Sequence, residues 1–92
     1  MNARRREERK KVLDSEAERW EAKSLEELLS ELQEAQAYQV AVDSKTYNVE
    51  VQLLENTEEC VHVAVCVDDG RFPAFMSPLG RSFIRKKTPL SD

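Results

Sequence analysis

CVHVAVCVDDG, residues 60–70, carries a valine at every second position from 61 to 67 and ends on Asp69-Gly70. Alternation with a period of two that ends on Asp-Gly is typical of a β-hairpin, because successive side chains of a strand point to opposite faces. The residues between the valines are small or weakly polar: Cys60, His62, Ala64 and Cys66. A strand with one wet face alternates apolar with clearly polar residues. This segment therefore predicts a strand that is covered on both faces.

The first third of the chain has the composition of a helix. Residues 3–36 contain no glycine or proline, and they are rich in Glu, Ala, Leu, Arg and Lys. Ser24 and Glu27 match the capping box that begins a helix, and leucines with helical spacing follow them. A thinner apolar stripe around Trp20 precedes these leucines. The two stripes are out of register with each other, so they do not continue along one helix face. We expect two helical segments that meet just before Ser24, the second over residues 25–36.

The period of the apolar pattern then changes from 3.6 to 2. Alternating segments at residues 38–42 and 47–53 precede the valine strand, and short turns separate them. Apolar residues at 72–76 and 81–85 predict one or two further strands, with a turn at 77–80. Short turns join antiparallel neighbours, because a parallel crossover needs a dozen or more residues.

The predicted fold class is α+β, with an N-terminal helix of one or two segments followed by a four- to five-stranded antiparallel meander sheet. The alternative is a small bent barrel behind an N-terminal helix. We expect a basic, fraying segment at residues 1–12, a single α+β domain at 13–87 and a disordered tail at 88–92. The second sheet face needs a cover, which is the first helical segment, barrel closure or another chain. Of these we favour another chain.

The charge of the chain is segregated along its length of 92 residues. Residues 1–11 carry six basic and two acidic side chains, whereas residues 12–80 carry four basic and fifteen acidic ones. Residues 81–92 again carry a basic excess, with four basic side chains and one acidic one. An acidic body repels nucleic-acid phosphates, whereas basic ends attract them.

The sequence favours a cytoplasmic protein without a membrane partner. No apolar run approaches the roughly 20 residues that a membrane span needs. The first six residues, MNARRR, lack the apolar segment of a secretory signal. Two cysteines without such a signal do not indicate a disulfide framework, and they suit a reducing compartment.

Cys60, His62 and Cys66 share one strand face, but their spacing argues against a metal site. Residues six apart on a strand lie about 20 Å apart, whereas zinc holds its ligands at about 2.0–2.3 Å. His62 is the single histidine, and no nucleophile, phosphate-loop or metalloprotease motif is present. We therefore expect a protein that is not an enzyme and that holds no metal or cofactor.

The leading functional hypothesis is association through an apolar sheet face, most simply as a homodimer. Such a domain acts as an adaptor, an inhibitor or a scaffold, and its acidic body suits a protein partner with a basic surface. The candidate interface residues are apolar, aromatic or weakly polar: Trp20, Cys60, His62, Ala64, Cys66 and Phe75. Trp20 either anchors the first helical segment on the second sheet face or packs against another chain.

The alternative hypothesis is a nucleic-acid-binding module that uses both basic ends. Short Lys- and Arg-rich segments bind phosphate backbones through release of counterions, without reading bases. The candidate contacts are the basic residues of the two ends: Arg4, Arg5, Arg6, Arg9, Lys10, Lys11, Arg85, Lys86 and Lys87. Pairing of these cations with nearby glutamates on a helix is the competing interpretation.

Overall fold

The computed structural model of the chain describes residues 2–68 and 79–87. In these residues two helices precede four strands: α1 (Asn2–Glu21), α2 (Leu25–Glu31), β1 (Gln36–Val42), β2 (Lys45–Asn56), β3 (Cys60–Asp68) and β4 (Leu79–Lys86). The strands form one sheet in the order β1-β2-β3-β4, and every pair of neighbours is antiparallel. The predicted α+β class and the meander are confirmed. The sheet is open, so the described strands do not close into the alternative barrel.

The break between the helices lies where the capping box predicts it. The Oγ of Ser24 accepts a hydrogen bond from the backbone N–H of Glu27 at 3.1 Å, and the carboxylate of Glu27 accepts one from the backbone N–H of Ser24 at 2.9 Å. α2 is shorter than predicted and reaches its C-cap at Leu32. The reason is that Gln36 already pairs with Val51 in the sheet, so the intervening residues must leave the helix.

Both helices pack on the same face of the sheet. The buried apolar residues of the helical part are Val12, Leu13, Ala17, Trp20, Leu28 and Leu32. The buried apolar residues of the sheet are Tyr47, Val49, Val51, Val61, Val63, Val65, Val67 and Phe83. The four valines of β3 therefore lie at the centre of the core, and α1 does not cover the second face. Within the described residues, no helix is long and apolar enough to cross a membrane.

The hairpin between β1 and β2 has an unusual turn. Val42 pairs with Lys45, and the two residues between them, Asp43 and Ser44, have φ values of 50° and 62°. Two left-handed residues in a two-residue loop define the turn class whose twist matches that of the flanking strands. Glycine and asparagine are the residues that favour this conformation, so Ser44 in particular is not the optimal choice.

The turn predicted at residues 77–80 is wrong in its second half. Leu79 and Gly80 belong to β4, where they pair with Val67 and Cys66. The pairing extends this far because β3 continues as a regular strand to its end, and Gly80 fits opposite Cys66. A Cβ atom on Gly80 would lie 3.4 Å from the Sγ of Cys66. The Asp69-Gly70 turn, the strand predicted at 72–76 and the tail at 88–92 lie outside the described residues.

Candidate interaction surface

The face of the sheet opposite the helices is here called the outer face. On β3 it carries the residues that alternate with the core valines: Cys60, His62, Ala64, Cys66 and Asp68. These side chains are half-buried although no described helix lies over them. Their partial burial comes from the neighbouring strands, because β3 is an inner strand of the sheet. No described helix or strand therefore covers the outer face. The cover that the sequence predicts for this face is not found among the described residues.

The half of the outer face on β1 and β2 is polar. The Nε2 of Gln39 donates to the Oδ1 of Asn48 at 3.1 Å, and the Nδ2 of Asn48 donates to the Oδ1 of Asp68 at 3.1 Å. These side chains border an open depression of about 430 Å³ that Glu50 and Cys66 also line. Glu50 and Asp68 give this half of the outer face an acidic character, which suits a basic group of a partner.

The apolar residues of β3 and β4 on the outer face, together with Leu54 in the bulge of β2, are here called the apolar patch: Leu54, Cys60, Ala64, Cys66 and Ile84. Leu54 is 50% exposed and Ile84 is 62% exposed, and they are the large hydrophobic residues that stand exposed in the described part of the chain. Ile84 pairs with His62 across β3 and β4. Leu54 lies in a β-bulge, next to Glu55, which pairs with His62 from the other side. The strand neighbours of His62 are therefore Ile84 on one side and Glu55 on the other, with Leu54 next to Glu55 in the bulge.

His62 lies near the middle of the apolar patch with one polar contact. Its Nε2 lies 3.0 Å from the Oγ of Ser82, and which of the two donates depends on the tautomer of the ring. This hydrogen bond satisfies one nitrogen of the imidazole and orients the ring along the sheet. The geometry suits a histidine packed against another surface, with one polar anchor in its own chain.

The structure does not bring the cysteines together with His62 into a metal site. Cys60 and Cys66 are both free and half-buried, and the described residues contain no group of three His, Cys, Asp or Glu that could hold a metal ion. Burial raises the pKa of the Cys66 thiol, and the charges of Glu50 and Asp68 raise it further. A thiol in these surroundings stays protonated and reacts slowly.

Trp20 lies on the opposite side of the sheet from Cys60, His62, Ala64 and Cys66. Its side chain is buried in the core of its own chain with 6% exposed, and its indole Nε1 donates to the hydroxyl of Tyr38 at 2.9 Å. It anchors the first helix on the sheet face that α2 also covers, and not on the second face where the sequence interpretation placed the anchor. Phe75 lies outside the described residues.

The sequence pattern does not single out Leu54 or Ile84, although a signal for both exists. Each follows a core-facing residue, in the pairs Leu53-Leu54 and Phe83-Ile84. Adjacent residues of a strand point to opposite faces, so two consecutive apolar residues place one on each face. This rule places Ile84 on the outer face from the sequence alone. For Leu54 the rule is not sufficient, because the bulge disturbs the alternation of faces there.

The C-terminal basic residues have separate positions. Arg85 donates to the backbone carbonyl of Lys23 at 2.8 Å and also to the carbonyl of Glu21. Lys87 donates to the side chain of Asn56, whereas Lys86 is exposed and opposite Cys60. These three cations do not form one patch, because Arg85 is engaged at the end of α1.

The N-terminal basic residues lie on α1. Lys10 pairs with Asp14 at 3.0 Å, one helical turn further along. Arg9 is half-buried and Lys11 is exposed. Three further candidate contacts, Arg4, Arg5 and Arg6, belong to the same helix, but their side chains lie outside the part of the chain that the structure describes. The described part of this segment therefore includes one cation with a helical partner and one exposed cation.

Comparisons with known proteins identify no relative. No protein-family model matches the chain, and no curated protein or solved structure matches it either.

Proposed function

We propose that the chain is a non-catalytic protein-interaction domain that associates with itself through the apolar patch. The observation that carries this proposal is the position of the two exposed large hydrophobic residues. Ile84 pairs with His62 on the sheet face that no described helix covers, and Leu54 lies in the β2 bulge beside Glu55, the other partner of His62. Exposed apolar groups that cluster, rather than scatter, mark interaction surfaces.

The shape of the apolar patch supports packing of one sheet on another. Next to the His62–Ile84 pair the side chains are short, since β3 carries Ala64 two residues further on and β4 carries Ser82 opposite it. Short side chains allow a second sheet to approach to the usual separation of about 10 Å. Contact between two copies buries both pairs of exposed side chains, and each Å² of apolar surface removed from water contributes about 25 cal/mol.

The acidic half of the outer face suggests what the dimer binds. Glu50 and Asp68 lie beside the apolar patch, at the border of the open depression. A polar, charged rim around an apolar centre is the common anatomy of protein interfaces. We therefore infer a protein partner with a basic surface, for which the domain acts as an adaptor, an inhibitor or a scaffold.

The test is the mass of the protein in solution, measured by light scattering after size exclusion. Ala64→Arg places a long cation in the patch, and Ile84→Ser removes apolar surface without adding bulk. We expect each variant to lower the number of associated chains, with circular dichroism unchanged for Ile84→Ser. Ser30→Arg, on the exposed side of α2, is the control and keeps the mass.

Two results would end the proposal. One is a wild-type protein that is monomeric at all concentrations, and the other is an Ile84→Ser variant that associates as strongly as wild type. The same size-exclusion experiment also tests the nucleic-acid hypothesis, because bound nucleic acid raises the ultraviolet absorbance ratio of the eluted peak. No contact among the described basic residues favours that hypothesis.

A further inference from the structure

β1 lies at one edge of the sheet, and in the described residues it has β2 as its single neighbouring strand. An edge strand presents a row of backbone N–H and C=O groups that can pair with a further strand. Proteins usually protect such edges with charged residues, with proline or with a bulge. β1, with the sequence QAYQVAV, has no charge and no proline, and its register with β2 is regular over all seven residues.

The opposite edge of the sheet differs in its charge. β4 has the sequence LGRSFIRK and carries the cations Arg81, Arg85 and Lys86. Arg81 pairs with Asp14 at 3.1 Å and Arg85 binds the end of α1, so this edge is also tied to the helix layer. Two β4 strands side by side would bring cations together. The unprotected edge is therefore β1.

The sequence of β1 is nearly symmetric about its centre. Reading outward from Gln39, the neighbours are Tyr38 and Val40, then Ala37 and Ala41. In an antiparallel pair related by a two-fold axis at Gln39, Tyr38 lies opposite Val40 of the second copy, and Ala37 lies opposite its Ala41. Residues directly opposite in such a pair share a face, so the large apolar side chains meet on the helix side and the alanines on the outer face.

We propose that two copies of this chain pair through β1, antiparallel and centred on Gln39, into a continuous eight-stranded sheet. Tyr38, Val40 and Val42 are only half-buried within the chain, although they face the helix layer. Val40 and Val42 line a groove of about 200 Å³ between β1 and α1, whose other wall includes Val12. A second β1 strand places its own apolar residues beside this groove and covers it.

This contact goes beyond the outer-face association and does not depend on it. The edge axis is perpendicular to the sheet, whereas the axis of two stacked sheets lies in the plane of the sheet. Two perpendicular two-fold axes generate a closed tetramer when they intersect. With both contacts present, wild type contains four chains, and with the edge contact alone it contains two.

Gln39 lies on the proposed two-fold axis, so substitutions of this residue test the edge pairing. Gln39→Lys and Gln39→Glu each place like charges directly opposite one another, so each variant alone loses the edge contact and half its mass. A mixture of the two variants pairs lysine with glutamate and recovers the wild-type mass. Thr46→Lys, one strand further in on the same face, is the matched control and leaves the mass unchanged. Thermal unfolding of each variant confirms that it is folded.

The outcomes separate this proposal from the proposed function. Loss of mass in Gln39→Lys with none in Ile84→Ser supports the edge contact and rejects the outer-face contact. The reverse pattern rejects the edge contact. Full mass in both single-charge variants, or a mixture of Gln39→Lys and Gln39→Glu that stays at the mass of its components, also overturns the edge pairing.

Discussion

The indole Nε1 of Trp20 donates to the hydroxyl of Tyr38 at 2.9 Å, and that hydroxyl in turn donates to Glu16 at 2.6 Å. Glu16 has 5% of its surface exposed and also accepts from Arg19 at 2.9 Å. A buried carboxylate is costly unless hydrogen bonds satisfy it, and here two donors do so. This chain of contacts fastens α1 to β1 at the edge of the sheet.

Removal of the Tyr38 hydroxyl should destabilise the fold. Tyr38→Phe leaves the indole N–H of Trp20 without its acceptor and takes one donor from Glu16, for an expected loss of about 1–3 kcal/mol in the free energy of unfolding. Urea unfolding followed by tryptophan fluorescence measures it. Glu16→Gln is the matched control and should lose less, since an amide oxygen still accepts from the tyrosine. A Tyr38→Phe variant as stable as wild type would contradict this.

Stability should also fall in alkali because of Tyr38. Burial, followed by the hydrogen bond to Glu16, raises its pKa from 10.0 to about 12. The folded state thus favours the neutral phenol, so this contribution is fully present below pH 10 and is lost as the pH rises towards 12. Urea unfolding between these pH values should show a decline that is smaller in Tyr38→Phe. An identical decline in both proteins would place its origin elsewhere.

The sequence predicts what depends on local pattern. The alternation of Val61 to Val67 predicts a strand, and Ser24 with Glu27 predicts the start of α2, because each signal is contained in a few adjacent residues. The end of α2 and the exposed position of Leu54 depend instead on sheet register and on a bulge. Those features arise from pairing between distant segments, which periodicity does not encode. The sequence therefore predicts the two cysteines and the alanine as candidate interface residues, but it does not single out the two most exposed hydrophobic residues.

Ser44→Gly should stabilise the first hairpin. Ser44 has a φ of 62°, a conformation that glycine adopts without the steric cost of a Cβ atom. We expect a gain of about 0.4–1 kcal/mol in the free energy of unfolding, net of the greater freedom of glycine in the unfolded chain. Ser30→Gly, inside α2, is the control and should lose about 0.5–1 kcal/mol. If both changes altered the free energy of unfolding by the same amount, Ser44 would not have the left-handed backbone conformation.

Cys66 should react slowly with thiol reagents at neutral pH. Burial raises its pKa, with Glu50 and Asp68 adding to the effect, and the thiolate is the reactive form. The labelling rate of the Cys60→Ser variant, which retains Cys66, should lie below that of an unfolded control at pH 7. It should rise with pH beyond the range in which an ordinary cysteine has already levelled off. Rapid labelling at neutral pH would instead indicate an activated thiol and reopen the question of cysteine chemistry.

Arg85 should matter for stability more than its neighbour Lys86. Its guanidinium donates to the carbonyl oxygen of Glu21, the last residue of α1, which has no helical partner and lies at the negative end of the helix dipole. It also donates to the carbonyl oxygen of Lys23, two residues beyond the helix. Arg85→Met keeps the apolar stem and should lower the free energy of unfolding by about 1–2 kcal/mol.

Lys86→Met is the matched control, since the exposed Lys86 should change stability by less than about 0.5 kcal/mol. The pair also separates structure from nucleic-acid binding. If the basic C-terminal segment bound phosphate backbones, both variants would weaken retention on heparin by a similar amount, because such binding counts charges. A loss of stability confined to Arg85→Met, with heparin retention alike in both variants and wild type, assigns the arginine to the helix end.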